Sequence, residues 1–344
     1  MRTEVPDGFP AEAMNLEFNR TVDRSSLHRW AISEVFLTDA RKTSETDYVA
    51  AAQLPPAHAY YADRSSRLDA PDPLLLLECA RQAETYGGHE FFGVARDSKF
   101  LLRSWSMSLP GLLTVPRGER PGELVMGVRT GNRRGAAGDV RRLTYDIDLA
   151  LSGHHLGRVS IDVGYIPGQV YDTVRAQGRG RPLGPFPQAD RAGSSVRPAH
   201  VGRFDPANVV LRDVTAGADG VTATVRVPLD NPSMFDHAQD HLPGMVLMEA
   251  ARQTCLYAAA ERLGASVSHT TVTGFDFSFS RYAELDAVTT VRVTGPEPGE
   301  SAGTHTFQVE FEQDGAVIAS GVTHTVTSAV TSSAVGSGTE GRAA

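Results

Sequence analysis

The feature that most constrains this chain is an internal repeat. Glu78-Cys79-Ala80-Arg81-Gln82 recurs as Glu249-Ala250-Ala251-Arg252-Gln253, and the segment EVFLTD ending at Asp39 recurs as NVVLRD ending at Asp213. Further on, the alternating stretch from Tyr145 to Leu149, followed by Val159 to Val163, is matched by Phe307 to Phe311, followed by Val317 to Val322. Three blocks in one order mean a duplicated domain. A length of 344 residues leaves room for two domains of ordinary size, each able to bury its own core.

Within each copy the order is strand, turn, one long apolar helix, then several strands. Met245 to Leu263 contains no Gly or Pro, is rich in Ala, Leu and Met, opens after Pro243-Gly244 and closes at Gly264, which predicts a helix. Its apolar residues cover nearly the whole circumference, so it is expected to be buried on most sides. Later segments alternate with period two, as in Phe275, Phe277 and Phe279, and read as half-buried antiparallel strands. An antiparallel sheet with one apolar face satisfies such a helix by wrapping around it, giving an α+β fold built twice. The expected boundaries are a disordered N-terminus over 1–25, a first domain over 26–167, a Gly/Pro/Arg-rich linker over 168–198, a second domain over 199–327 and a disordered tail over 328–344.

Composition removes several classes of function. A formal charge of −8 supplies no basic stripe for nucleic acid, and no run reaches the ~18 apolar residues of a membrane span. The opening residues lack the pattern of a signal peptide, so a cytoplasmic location is the expectation. The two cysteines, Cys79 and Cys255, lie in apolar helical runs and read as buried core thiols. They do not occupy equivalent positions in the repeat, which speaks against a thiol nucleophile.

The polar residues of the repeat stand out against this background. On a helix Glu249, Arg252 and Gln253 share one face, and Glu78, Arg81 and Gln82 repeat the patch. Such a patch suits an internal ion pair at the seam between the copies, and it equally suits a site. Before the second helix, Phe235-Asp236-His237-Ala238-Gln239-Asp240-His241-Leu242-Pro243-Gly244 puts two imidazoles and two carboxylates in one turn. The helix start at Gly244 and Met245 presents backbone N–H groups that suit a carbonyl or oxyanion. Two His without a third ligand at metal spacing do not make a zinc site, so neither metal nor cofactor is expected. His58 and Tyr60 fit either a tunnel lining or a packed strand end.

The run from Pro243 to Gln253 resembles the helix start of the hot-dog hydroxyacyl-thioester dehydratases, whose loop His and helix carboxylate match His237 and Glu249. The approach to the first helix, Asp69-Ala70-Pro71-Asp72-Pro73, lacks both histidines and the glycine. Over most of its length the chain resembles the A-factor biosynthesis (AfsA) family of double hot-dog proteins. The resemblance is carried by His28-Arg29, Leu54-Pro55-Pro56-Ala57-His58-Ala59-Tyr60-Tyr61, the ECARQ helix, FDHAQDHLPGM and EAARQ. It implies transfer of a β-ketoacyl group from an acyl carrier protein thioester to the hydroxyl of dihydroxyacetone phosphate, on the way to γ-butyrolactone or butenolide signalling molecules. On that reading His237 faces Glu78 across the copies, giving one better-equipped site. Glu78 is the base with His237 assisting, Glu249 is the second helix carboxylate, and Gly244 and Met245 supply the oxyanion donors. Arg81 and Arg252 bind phosphate, oriented by Gln82 and Gln253, with Asp240 and His241 beside the substrate. One chain holds both halves of a hot-dog dimer, so a monomer is plausible. A dehydratase or thioesterase, and a non-catalytic acyl-binding module, are the alternatives.

Overall fold

The computed structural model describes residues 5–66, 70–116, 121–135, 139–179 and 193–328. The first copy contributes strands β1 (Leu37–Lys42), β2 (Asp47–Leu54), β3 (Lys99–Ser108), β4 (Gly122–Arg134), β5 (Arg142–Leu151) and β6 (His154–Ile166), with helix α1 (Pro73–Glu90) between β2 and β3. A second helix, α2 (Gly168–Arg179), follows. The second copy contributes β7 (Leu211–Gly217), β8 (Gly220–Val225), helix α3 (Gly244–Leu263), β9 (Thr270–Phe279), β10 (Thr289–Pro298), β11 (Thr304–Gln313) and β12 (Ala316–Thr327).

These strands form one antiparallel sheet in the order β1-β2-β4-β5-β6-β3-β9-β12-β11-β10-β8-β7. The second half repeats the first in reverse, so the copies join edge to edge through β3 and β9. At that seam Trp105 lies opposite Phe277, with Ser104 opposite Ser278 and Ser106 opposite Asp276. A local two-fold therefore runs between Trp105 and Phe277 and relates the two copies. Joining the sheets removes one exposed edge from each, which is the usual hazard of an open antiparallel sheet. Helices α1 and α3 lie buried on the same side of it, with Leu74, Leu76, Val246 and Met248 fully covered. Both cysteines are buried free thiols, and burial pushes the Cys255 thiol up to about 12.

Two boundaries differ from expectation. Residues 5–25 are not loose: Ala13 and Leu16 are buried against Val49, Ala51 and Val125, covering the outer face of the first copy. Small side chains on that face leave room for an apolar segment that periodicity alone does not reveal. The expected linker begins with α2, which buries Tyr171 and Arg175. Arg175 pairs with Glu284 at 2.5 Å and with Asp240 at 3.3 Å, and its guanidinium lies 4.1 Å from the Tyr282 ring centre. Arg179 adds Glu284 and Asp286. Helix α2 is thus held by charge rather than by an apolar stripe, which is why its sequence reads as polar connector. The remainder of the linker over 180–192 and the tail from 329 lie outside the described residues. Among those described, no helix is long and apolar enough to cross a membrane.

Candidate active site

The two polar helix patches have different fates, and the difference begins at the helix starts. Asp72 caps α1: its carboxylate accepts from the Leu74 amide at 2.8 Å, with Pro73 occupying the first helical position. No side chain caps α3, whose first residue follows Pro243. Gly244 and Met245, at this start without a capping side chain, help to line a cleft of about 500 Å³.

Across this cleft stands the patch from α1. Glu78 is fully buried and accepts from Arg29 at 2.5 Å, from Arg81 at 2.8 Å to both oxygens, and from Gln82 at 2.8 Å. Burial alone would raise its pKa, but the Arg29 and Arg81 guanidinium groups outweigh that and hold it down at about 2. Gln82 is a peg: its carbonyl accepts from the Phe36 and Leu37 amides and its amide donates to the Glu34 carbonyl, locking the start of β1 onto the helix.

His237 enters from the loop before α3 and lines the same cleft. Asp236 anchors that loop to the first copy by accepting from the Trp30 and Ala31 amides at 2.6 and 2.8 Å, and the Trp30 ring stacks on the imidazole at 5.7 Å. The Gln239 amide lies 2.8 Å from Nε2 and Asp236 lies 3.3 Å from Nδ1. With the amide as donor, Nε2 is the acceptor and the ring hydrogen sits on Nδ1, toward Asp236. Partial burial lowers the His237 pKa against the opposing pull of Asp236, so the imidazole is neutral at pH 7, with the Nε2 lone pair taken by the Gln239 amide. Lys99, Arg29 and His28 line both this cleft and the adjoining open mouth, to which Arg24 and Arg96 also contribute.

The second patch is closed. Glu249 is fully buried and bonded by Arg203 at 2.9 Å, by the Tyr60 hydroxyl at 2.9 Å, and by Arg252 and Gln253. Arg252 also holds Asp72 at 2.7 and 2.8 Å, joining α3 of one copy to α1 of the other. Gln253 repeats the peg, accepting from the Val210 amide and donating to the Asn208 carbonyl. Ion pairs thus fill this patch, and Arg252 carries them across the seam between the copies. Glu249, Arg252 and Gln253, expected in catalysis or substrate binding, are saturated by protein partners and do not line the cleft.

Asp240 and His241 do line the cleft but are partly committed. Asp240 accepts from His241 at 2.6 Å and from the Tyr171 hydroxyl at 2.8 Å, so it ties α2 to the wall. Four residues that matter were not singled out as site residues: Arg29, Arg203, Trp30 and Lys99. Extending the EVFLTD and NVVLRD match eight residues back from the leucines places Arg29 opposite Arg203, so the signal was present in the repeat.

One further carboxylate faces the cleft. Glu84, on α1, is buried without a cation bonded to it, accepting from Thr85 at 3.0 Å and from the Tyr165 hydroxyl at 3.2 Å. Burial pushes its pKa from 4.5 up to about 7. Its folded value is raised, so its contribution to stability is full below the unfolded value and is lost as pH rises through the folded one. Denaturant midpoints should fall between pH 4.5 and 7 on this account, and Glu84→Gln should flatten that slope.

The arrangement agrees with what the chain is similar to. The model of the A-factor biosynthesis hotdog domain (AfsA) matches residues 11–167 and 187–329. The chain belongs to the A-factor biosynthesis hotdog family. A 2-oxo-3-(phosphooxy)propyl 3-oxoalkanoate synthase of Streptomyces virginiae is 33% identical over 296 residues, covering 86% of this chain and 94% of that protein. Proteins of the same name from Streptomyces coelicolor and Streptomyces griseus subsp. griseus are 28% and 27% identical, covering 86% and 92% of this chain and 89% and 95% of theirs. Membership in the family accounts for the paired hot-dog copies and for the one sheet that they share.

Proposed function

We propose that this chain is an acyltransferase that moves a β-ketoacyl group from an acyl carrier protein thioester to the hydroxyl of dihydroxyacetone phosphate. The observation that carries the reading is the local two-fold. In the closed half, the Asp72 carboxylate lies between the Arg252 guanidinium and the Leu74 amide. The repeat makes Arg81 the counterpart of Arg252 and Met245 the counterpart of Leu74. In the open half that pair has no carboxylate between it, and a developing oxyanion has the charge and size to take its place. The Streptomyces relatives are named for an ester that joins a phosphooxypropyl unit to a 3-oxoalkanoate, which fits such a site.

In this scheme the acceptor hydroxyl displaces the Gln239 amide from His237 Nε2, which then takes the hydroxyl proton as its oxygen attacks the thioester carbon. The Met245 and Gly244 amides and Arg81 hold the oxyanion. Collapse breaks the carbon–sulfur bond, and the thiolate leaves with the proton from His237, so the imidazole ends neutral. Glu78 is reassigned from base to anchor: a carboxylate held near pKa 2 by two guanidinium groups is a weak base, but it fixes Arg29 and Arg81 in place. Lys99, with Arg96 and Arg24 at the mouth, receives the phosphate in place of Arg252. Both halves of the site come from one chain, so a monomer suffices.

Incubating the protein with a β-ketoacyl thioester and dihydroxyacetone phosphate should yield the phosphorylated ester by mass spectrometry only when both are present. Free acid in a control lacking the phosphate would make it a thioesterase instead. Lys99→Gln should raise the KM for the phosphorylated acceptor roughly tenfold or more while leaving the KM for the thioester unchanged, the loss expected of one charged hydrogen bond.

A further inference from the structure

The mechanism leaves Glu84 unused, and the repeat shows that the fold does not require it. Counting from Glu78 and Glu249, the counterparts of Glu84 and Thr85 are Cys255 and Leu256, both in an apolar stretch. The strand registers extend the comparison. Tyr145 lies opposite Ile161 and Val309 opposite Gly321, while Ile161 and Gly321 lie opposite the two-fold pair Trp105 and Phe277. Tyr145 is thus replaced by Val309. By the same registers Tyr165, opposite Phe100, is replaced by Thr325, opposite Val272. An entire hydrogen-bonded group occurs only in the copy whose helix borders the open cleft: Thr85 and Tyr165 donate to Glu84, and Tyr165 lies 2.7 Å from the Tyr145 hydroxyl.

Its position relative to Arg81 is given by two short steps. Thr85 Oγ1 is 3.4 Å from Arg81 Nη1 and 3.0 Å from Glu84 Oε2, so the carboxyl group stands one hydroxyl away from the guanidinium assigned to the oxyanion. The 3-oxo oxygen of a β-ketoacyl group is the next polar atom along the chain from the thioester oxygen, so a second polar group near Arg81 is where it would be met. The cleft that Glu84 lines also has apolar wall from Phe100, Leu102, Ile161 and Val163. A polar group fixed by its neighbours beside apolar walls recognises a ligand oxygen far better than it tolerates its absence.

We propose that Glu84, seated between Thr85 and Tyr165, is a specificity-determining residue that donates a hydrogen bond to the 3-oxo oxygen of the acyl group. This rests on the acyltransferase reading. A carboxyl group that keeps its proton near neutral pH can be a donor where an ordinary carboxylate cannot.

Binding of unreactive donor analogues tests the proposal without turnover. The probes are pantetheine amides of a 3-oxo acid and of the saturated acid of equal length, titrated by calorimetry. Wild-type protein should bind the 3-oxo amide at least about tenfold more tightly. Glu84→Leu, which introduces an apolar side chain like those the second copy carries there, should bring the two affinities together by weakening only the 3-oxo amide. Glu84→Gln keeps an N–H donor and should retain part of the preference. Equal binding of both amides to the wild type, or an equal loss of both in Glu84→Leu, overturns the subsite alone. Failure of the wild type to bind either amide overturns the acyltransferase reading and the subsite with it.

Discussion

Replacing His237 with alanine should lower acyl transfer by roughly 10²–10⁴-fold with little change in stability, because the imidazole is only half-buried and its loop is held by Asp236 instead. The rate measurement should be paired with Glu78→Gln. If Glu78 is an anchor, that change loosens Arg29 and Arg81 and costs less in kcat than loss of His237. The dependence of kcat/KM on pH separates the roles further. Proton transfer by His237 gives a limb that rises with pH and has its midpoint below the ordinary histidine value, since burial lowers the imidazole pKa. Activity without such a limb, together with a larger loss in Glu78→Gln, would return the base to the helix carboxylate.

The second large effect concerns stability. Arg203→Ala should destabilise the protein by about 3–5 kcal/mol, read from the denaturant midpoint, because it leaves the fully buried Glu249 short of a guanidinium partner. Arg252→Ala should do the same by stranding Asp72 and Glu249 together. The double change Arg203→Met with Glu249→Met should recover only part of the loss, since it removes the buried charge pair but leaves the Tyr60 hydroxyl without its acceptor and Arg252 with Asp72 alone. Below the unfolding transition, kcat in these variants should stay near wild type. A selective loss of kcat in a folded Arg252 variant would show that the second patch takes part in chemistry after all.

Much of this architecture was legible in the repeat. Two EARQ-type helix patches and two matching strand starts require two similar domains, and the near-continuous apolar surface of 245–263 requires a sheet around it. The turn from Phe235 to Gly244 drew notice because it puts two imidazoles and two carboxylates beside a helix start without a capping side chain, and in the fold it lines the open cleft. Boundaries were harder to read. Helix α2 has no apolar stripe, since its partners are Asp240, Glu284 and Asp286, which come from distant positions in the chain. The N-terminal segment is ordered by the small residues of β2 on its far side, which no local pattern in 5–25 announces.

What the sequence by itself determined is the set of groups: a duplicated hot-dog, two Glu–Arg–Gln patches, and a histidine loop attached to only one of them. Which patch borders the cleft and which is closed by ion pairs was decided by tertiary structure. The physical reason is the choice made at each helix start. Asp72 fills the first with a carboxylate that completes Arg252, whereas Pro243 and Gly244 leave the second without a capping side chain at the wall of a cleft. Two nearly identical five-residue motifs thereby acquire opposite roles, because an ion pair is finished or unfinished by residues that only folding brings beside it.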